Sequence, residues 1–301
     1  MSIILCSACS IDTAKPSIPI MPDEIVLQHL HYLSSDSLAG RQVGTKGGLL
    51  AQDYIIKQLQ QYQVMPLTTA YKASFSSNNF FKTTQGNNIV GFTPGTIWPN
   101  KFIVLSAHFD HLGSRGRKIY HGADDNASGT SALLHYAKRI QQSPLRHSVI
   151  FLFTDGEEAN LMGARAFIKQ NSHLLADIAL NINIDMIAGT RSTKKLRYIS
   201  RRLDEILTRD VIQTLTTQDY AIELKQGFKQ HGRSKKPRIR WEIASDHAVF
   251  YQQKIPFIYY GVGNHQNYHQ TSDSYENINQ QFFLAAVATI YQQISFIDQN
   301  L

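Results

Sequence analysis

The sequence is poor in the features that mark several classes of protein. Its 301 residues include only two cysteines, Cys6 and Cys9, so no disulfide framework supports the chain beyond residue 9. No run of 18 or more apolar residues occurs, which excludes a membrane-spanning helix. Charged residues make up 18% of the chain and apolar residues 43%, a composition that excludes a disordered chain. What remains is a globular protein of one large α/β domain or two small domains.

Both cysteines lie in the opening stretch MSIILCSACSIDTAKPS. This stretch resembles the end of a secretion signal, with apolar residues followed by small ones before Cys9, although the basic start is missing and the apolar part is short. It predicts an exported protein, periplasmic or extracellular, with Cys9 as a candidate lipid-attachment site. The alternative is a disordered tail. We expect residues 1–20 to lie outside the fold and residues 21–301 to form one domain.

Positive charge is concentrated in one part of the chain. The net charge is +7, yet residues 188–240 alone carry 14 Lys/Arg against 5 Asp/Glu, a surplus of nine. Such a block is typical of a solvated face or a mobile loop, and the alternative is a surface for an anionic partner. No nucleic-acid-binding motif accompanies it, so no nucleic-acid partner is expected. We treat residues 190–240 as a basic, insert-like segment of the domain.

Strand and helix patterns alternate along the chain. Short apolar runs at 101–108, 147–154, 177–185 and 256–261 predict buried strands. Apolar residues at helical spacing predict helices at 23–34, 44–62, 128–141, 161–171 and 279–297. Ser128 is the expected N-cap of the third helix. Alternating strands and helices predict an α/β fold, a mixed and mostly parallel sheet sandwiched by helices.

Polar residues collect where these strands end. In such sheets ligands bind beyond the carboxyl ends of the strands. The residues there, with the loop GADDNASG added, are His108, Asp110, Asp124, Asp125, Asp155, Glu157, Glu158 and Asp185.

This set of residues has the chemistry of a metal site. A histidine with several carboxylates and no thiol suits zinc, with cobalt or manganese as alternatives. A mononuclear hydrolytic site needs about three protein ligands. The surplus predicts two ions about 3.5–4 Å apart that share a bridging carboxylate. A carboxylate that is not a ligand must then move the proton of the attacking water. Because Glu157 and Glu158 point different ways, one could bind metal while the other acts as this base.

Several motifs occur in the order found in one known family. They are LSSDSLAGRQVGT, SAHFDHLG, GADDNASGTSALL, FTDGEEANLMGARAF, NINIDM and NYHQTSDSYENI, from about residue 25 to the end. The chain resembles the secreted bacterial di-zinc aminopeptidases, which are related to glutamate carboxypeptidase and the transferrin receptor ectodomain. The resemblance implies a single-domain zinc-exopeptidase fold of the phosphorylase/hydrolase type.

The resemblance also implies a role for seven residues. His108 and Asp185 would bind one zinc, Glu158 and His269 the other, Asp125 would bridge both, Glu157 would be the general base, and Asp110 would accept a hydrogen bond from the His108 imidazole. It further implies a cis peptide between Asp125 and Asn126. From the residues alone, a helix cap or turn role for Asp124 competes with a metal-binding one, and the preference for Asp125 comes from the resemblance.

Other candidates receive more ordinary interpretations. His111 and His121 flank the site, and solvent exposure or a minor pocket role is expected for them. Ser245, Asp246 and His247 are contiguous and so form no catalytic triad, which is a spatial arrangement; they are expected to support the site or form a pocket wall. One of Tyr259, Tyr260 and Tyr268 could donate to an oxyanion, with core packing as the default.

The function implied is that of a zinc-dependent aminopeptidase acting on peptides. Three alternatives stay open: a carboxypeptidase or N-acyl amino acid deacylase, a glutaminyl cyclase-like transferase, and a non-catalytic, receptor-like binding domain. The receptor-like alternative predicts missing ligands, whereas all six positions that bind metal or move the proton are filled here.

Overall fold

The computed structural model describes residues 24–78, 83–228 and 239–301. The predictions for residues 1–20, including lipid attachment at Cys9, lie outside the described residues, as does the stretch 229–238 of the basic segment. No helix within the described ranges has the length and apolar character needed to cross a bilayer.

Helices occur at all five positions that the sequence pattern predicted, and two shorter ones were missed. In the described part of the chain the α-helices are α1 (Ile25–Leu33), α2 (Lys46–Gln61), α3 (Gly129–Gln142), α4 (Met162–Gln170), α5 (Arg209–Thr217), α6 (His247–Gln252) and α7 (Gln280–Asn300).

The predicted strands are also present, with further strands toward both edges of the sheet. The described strands are β1 (Met65–Pro66), β2 (Lys72–Asn78), β3 (Thr83–Thr93), β4 (Trp98–His108), β5 (Ser114–Arg115), β6 (Lys118–Ile119), β7 (His147–Thr154), β8 (Ile178–Ile184), β9 (Lys195–Arg201), β10 (Glu223–Gln226) and β11 (Phe257–Gly261).

One sheet of nine strands organises the described chain. Its order is β1-β3-β7-β4-β8-β11-β9-β10, with β2 paired to β3, while β5 and β6 form a separate hairpin. The central strands β7, β4, β8 and β11 run parallel, and antiparallel pairs join them to the margins. The carboxyl ends of β7, β4 and β8 therefore lie side by side at one edge of the sheet.

Side chains of the central strands alternate between two cores, as the pleat requires. On β4, Ile103 and Leu105 pack with α1, α2, α3 and α7, whereas Val104 packs on the opposite face with α4 and α6. Both faces of the sheet are covered by helices, which explains why the strands are apolar throughout. The predicted fold, a single mixed α/β domain with a parallel centre, is confirmed.

The basic segment contributes to this domain. Its described part forms β9, α5 and β10 at one margin of the sheet, with Leu196 and Leu215 in the core. Its positive charges include Lys195, paired with Glu223 at 2.6 Å, and Arg202, paired with Glu205 at 2.8 Å. The described part of the segment therefore forms a margin of the sheet, with apolar side chains in the core and charged side chains on the solvated face.

The start of α3 differs from the prediction. Ser128 precedes the helix, but its hydroxyl donates to the carbonyl oxygen of Asp124 at 2.7 Å and makes no cap bond. The side-chain oxygen of Asn126 instead accepts the N–H of Gly129 at 2.9 Å. Ser128 thus holds the expected N-cap position but supplies no capping bond, because the chain before α3 is folded into an irregular turn, Ala123–Ser128, that brings Asn126 over the helix end.

Candidate metal centre

The predicted ligands meet at the carboxyl edge of the central strands. His108 is the last residue of β4, Glu157 and Glu158 follow β7, and Asp185 follows β8. The irregular turn before α3 brings Asp125 to the same place, and the loop after β11 brings His269. The structure thus assembles the residues that the sequence selected.

One group of donor atoms surrounds His108. Its Nε2 atom lies 3.4 Å from Oδ1 of Asp125 and 3.4 Å from Oδ1 of Asp185. A carboxylate oxygen of Glu157 is within 4.8 Å of donor atoms of both His108 and Asp185. The Nδ1 atom of His108 donates to the backbone carbonyl of Asp110 at 3.1 Å, since a carbonyl can only accept. This bond leaves the Nε2 lone pair free to bind a cation.

A second group lies on the other side of Asp125. The Oδ2 atom of Asp125 and the Oε2 atom of Glu158 each lie 3.2 Å from Nε2 of His269. The two oxygens of Asp125 therefore face different groups, as those of a bridging carboxylate would.

His111 belongs to this second group, which the sequence interpretation missed. It is only 1% exposed, and its Nδ1 lies 2.8 Å from Oε1 of Glu158 and 3.8 Å from Oδ2 of Asp125. Of the two expected roles, solvent exposure or a minor pocket role, solvent exposure was wrong, because the ring packs against Gly122. Its only signal in the sequence is its place three residues after His108.

Asp124 and Asp125 are adjacent but have separate surroundings. The peptide bond after Asp125 is cis, as the family resemblance implied. Asp124 turns away from the donor groups: its Oδ1 accepts the N–H groups of Ala188 and Gly189 at 2.7 and 2.9 Å, and its Oδ2 lies 2.7 Å from Nε2 of His265. Asp124 thus holds two loops beside the site.

Asp273 fixes this pair of aspartates. Its two carboxylate oxygens accept the backbone N–H groups of Asp124 at 2.9 Å and Asp125 at 3.0 Å. Nothing in the sequence pointed to this contact, because Asp273 lies in a loop about 150 residues away.

The carboxylate of Asp110 does not make its predicted contact. It is 3.7 Å from Nδ1 of His108, beyond hydrogen-bonding distance. Its Oδ1 instead accepts the backbone N–H of Glu157 at 3.0 Å. Asp110 thus supports His108 through its backbone oxygen and Glu157 through its side chain.

A buried arginine sits behind these loops. Arg41, from the stretch LSSDSLAGRQVGT, is fully buried. Its guanidinium donates to the backbone carbonyls of Phe109 at 2.7 Å, His121 at 2.6 Å, Gly122 at 2.9 Å and Leu33. Burial lowers its pKa to about 10, against the opposing effect of nearby carboxylates. It remains charged at neutral pH and ties together the loops that carry His108 and Asp125.

Negative charge dominates the electrostatics of the site. Burial is the main reason that the pKa of Glu157 lies well above its usual range, and Asp185 and Asp246 raise it further against the effect of His108. Burial, followed by the charge of Glu158, raises the pKa of Asp125. The pKa of Glu158 is lowered, because the close approach of His111 at 2.8 Å and His269 at 3.2 Å outweighs the effect of its burial. Cations bound here would relieve this repulsion.

Buried oxygens that lack a hydrogen-bond partner also indicate that cations bind here. Buried oxygens without a hydrogen-bond donor among the described residues include Oδ2 of Asp125, Oε1 of Glu158 and Oδ1 of Asp185. Such atoms are costly unless something binds them. Imidazole and carboxylate are ligands that zinc accepts, so the donor set fits zinc at both groups.

The segment Ser245–His247 supports the strand ends. Thr154 donates to Oδ2 of Asp246, and Asn183 donates to the hydroxyl of Ser245 at 3.0 Å. His247 contacts the carbonyl of Trp241 at 2.8 Å through Nε2. Asn183 also lies 3.5 Å from Nδ1 of His247. No hydrogen bond joins Ser245, Asp246 and His247 through their side chains among the described contacts, so they form no triad, as predicted.

The three candidate tyrosines differ in position. The side chain of Tyr260 is buried and donates to Gln293, while its backbone oxygen accepts the N–H of Asp185 at 3.0 Å. Tyr259 is also buried, in an aromatic cluster with Phe228 and Trp241. The ring of Tyr268 stacks on that of a candidate ligand, His269, at 3.8 Å between centroids.

Comparison with known sequences identifies relatives. Residues 88–294 match the sequence profile of peptidase family M28. The alkaline phosphatase isozyme conversion protein of Escherichia coli (strain K12) is 27% identical over 184 residues, which are 54% of this chain and 53% of that protein. Aminopeptidase YwaD of Bacillus subtilis (strain 168) is 29% identical over 140 residues, 46% of this chain and 29% of that protein. The chain therefore spans about half or less of these relatives' lengths.

Solved structures share the fold. A Zn-dependent exopeptidase from Parabacteroides distasonis superposes with a TM-score of 0.68 and 17% identity, covering 92% of this chain and 99% of that one. The glutaminyl cyclase of Macrostomum lignano gives 0.70 and 19%, covering 98% and 99%. At these identities the likeness concerns the fold. The sequence match covers more than two thirds of the chain and includes all but the first of the motifs at the donor groups: the chain belongs to peptidase family M28.

Proposed function

We propose that this chain is a di-zinc exopeptidase that removes amino-terminal residues from peptides. The observation that carries the proposal is the position of Asp125. Its Oδ1 lies 3.4 Å from Nε2 of His108, and its Oδ2 lies 3.2 Å from Nε2 of His269. One carboxylate between two sets of imidazole and carboxylate donors is the arrangement expected of a two-metal hydrolase.

The residues divide into two zinc positions. His108 and Asp185 would hold one ion, Glu158 and His269 the other, and Asp125 would contribute to both. When bound, zinc supplies Lewis acidity that polarises a peptide carbonyl and lowers the pKa of water.

Glu157 would be the group that moves the proton. It follows β7 at the donor groups, and its backbone N–H is fixed by Asp110. Its carboxylate lies near His108 and Asp185, so it can accept a proton from the attacking water and deliver it to the leaving amine.

The charge around the site favours an amine over a carboxylate as the recognised end of the substrate. Four acidic residues lie at the first group: Asp110, Glu157, Asp185 and Asp246. Arg41, a buried cation behind the ligands, has four backbone carbonyls as its partners. A free amino terminus is attracted to such a site. A substrate carboxylate would need a cation that the described residues do not place there.

The rest of the peptide has an adjoining cleft. A cavity of about 540 Å³ next to the Glu157–Glu158 turn is lined by Gln42, Thr45, Thr84, Gln85 and Ala159, among others. Its lining is neutral and rich in hydrogen-bonding groups. Such a lining suits the part of the substrate that follows the first residue, and it selects little among the side chains of that part.

A panel of substrates tests this proposal. Aminoacyl-anilides with a free amino group should be hydrolysed, whereas their N-acetylated counterparts and peptides extended from a free carboxyl end should not. Activity should disappear with a chelator and return with zinc. Preference for N-acyl or carboxyl-terminal substrates would move the chain to the carboxypeptidase or deacylase class, and conversion of amino-terminal glutamine without hydrolysis would move it to the cyclases.

A further inference from the structure

We infer that His111 is an additional zinc ligand, which binds through Nδ1 at the position formed by Asp125, Glu158 and His269. This inference rests on the proposed function, since it assumes that zinc binds there. It makes the two positions unequal, with one imidazole at the first and two at the second.

The surroundings of His111 leave its ring without another role. The side chain is 1% exposed, and among the described residues neither Nδ1 nor Nε2 has a hydrogen-bond partner. Nδ1 is 2.8 Å from Oε1 of Glu158, yet the two atoms are not aligned for a hydrogen bond, and Oε1 is itself unpartnered. A buried imidazole with no partner is costly. A cation between these atoms would satisfy both.

The distances suit four donors around one ion. Two atoms that each lie about 2.1 Å from zinc, with angles of roughly 85–130° between them, are about 2.8–3.8 Å apart. The separations that involve His111 are 2.8 Å to Glu158 and 3.8 Å to Asp125. Those that involve His269 are 3.2 Å to the same two residues. All four fall in this range. The two histidines face the same oxygen of Asp125 but different oxygens of Glu158, so Glu158 would offer the ion either of its carboxylate oxygens.

The ring is held in this position by the backbone. Gly122 has φ +58°, and a Cβ atom added there would lie 2.6 Å from Cγ and Cδ2 of His111. The imidazole therefore packs closely on the chain three residues before Asp125. This contact orients His111 before any ion binds, which reduces the cost of binding.

A second imidazole has chemical consequences. Nitrogen ligands favour zinc over manganese or magnesium, which prefer oxygen. The position with His111 and His269 should therefore keep zinc longest during removal by a chelator. The position of His108 and Asp185 should empty first.

Variants test the ligand role by zinc affinity, measured by competition with a chromogenic chelator on the full chain. His111→Asn should weaken one of the two zinc sites by 10-fold or more and change the visible absorption of bound cobalt. His121→Asn is the matched control, since that ring contacts Asp36 and lies outside the donor groups. Unchanged affinity and an unchanged cobalt spectrum in His111→Asn would overturn the inference.

X-ray absorption of the wild-type chain loaded with two zinc ions gives a test that does not depend on a variant folding. Three histidines shared by two ions predict about 1.5 imidazoles per zinc on average. A value of about 1 means that His111 is not a ligand, while the proposed function stands. Failure of the chain to bind zinc at all would instead refute the proposed function.

Discussion

The side chain of Asp110 accepts a hydrogen bond from the backbone N–H of Glu157 at 3.0 Å. Asp110 follows β4 and Glu157 follows β7, so this bond joins the ends of two neighbouring strands. The backbone carbonyl of Asp110 also accepts a hydrogen bond from the imidazole of His108. Asp110 thus helps to position both a candidate zinc ligand, His108, and the candidate base, Glu157.

Replacing Asp110 should therefore impair turnover without removing the metal. In Asp110→Ala, Glu157 loses its anchor, and a misplacement of about 1 Å can reduce kcat about 100-fold. Asp110→Asn retains an acceptor oxygen and should lose less. Steady-state kinetics and zinc analysis of both variants check this. Equal losses in the two variants would mean that the charge of Asp110 matters and the hydrogen bond does not.

Glu157→Gln should abolish proton transfer. The amide has nearly the same shape but cannot accept a proton, so activity should fall by roughly 10²–10⁴-fold while the zinc content stays unchanged. Glu158→Gln is the matched comparison, and it should lose zinc as well as activity. Normal turnover in Glu157→Gln would refute its role as base, and loss of zinc in that variant would make Glu157 a ligand.

Arg41→Met should destabilise the fold. The buried carbonyls of Leu33 and Phe109 lose their donor, at about 1–3 kcal/mol each when left unsatisfied, so a loss of roughly 3 kcal/mol is expected. The carbonyl of Gly122 still accepts the N–H of Ala127 at 3.1 Å. Arg202→Met, at a half-exposed pair with Glu205, should change stability by less than about 0.5 kcal/mol. Urea unfolding of the two variants, both free of metal, measures the difference. Similar losses would show that the contacts of Arg41 contribute little.

His29 should make the metal-free protein sensitive to acid. Burial, followed by the charges of His135 and Lys138, lowers its pKa from 6.5 to about 4, and its ring nitrogens contact the hydroxyls of Tyr54 and Tyr62 at 2.7 and 2.8 Å. Between these pH values the unfolded chain binds a proton that the folded chain does not. The free energy of unfolding should therefore fall by about 3 kcal/mol as the pH drops from 6.5 to 4.

The measurement is urea unfolding at several pH values with chelator present. His29→Gln should show a smaller dependence on pH, while His31→Gln, an exposed position of the same helix, should behave as the wild type. If all three proteins respond equally to pH, another group causes the acid sensitivity.

Much of the fold follows from local patterns. Apolar runs in the sequence predict β4, β7, β8 and β11, and the rule that ligands collect at the carboxyl ends of strands predicts that His108, Glu157 and Asp185 lie together. The margin formed by β9, α5 and β10 was missed, since its strands carry many charged residues and lack a continuous apolar run. Its burial comes from neighbours distant in sequence.

The finer parts of the site depend on loop geometry. Whether Asp124 or Asp125 faces the donor groups is set by the turn before α3 and by the contact of both N–H groups with Asp273, across about 150 residues. His111 turns inward because the chain after β4 packs against Gly122. Spacing along the chain carries no information about either contact.

The most direct test of the central claim is the zinc content of the purified chain and of Asp125→Ala, measured by elemental analysis alongside activity. If Asp125 bridges two ions, the wild type should hold two zinc ions per chain, activity should rise with the second equivalent, and Asp125→Ala should lose metal as well as activity. A wild type that is fully active with a single zinc ion, or an Asp125→Ala variant that is fully loaded and active, would contradict the account.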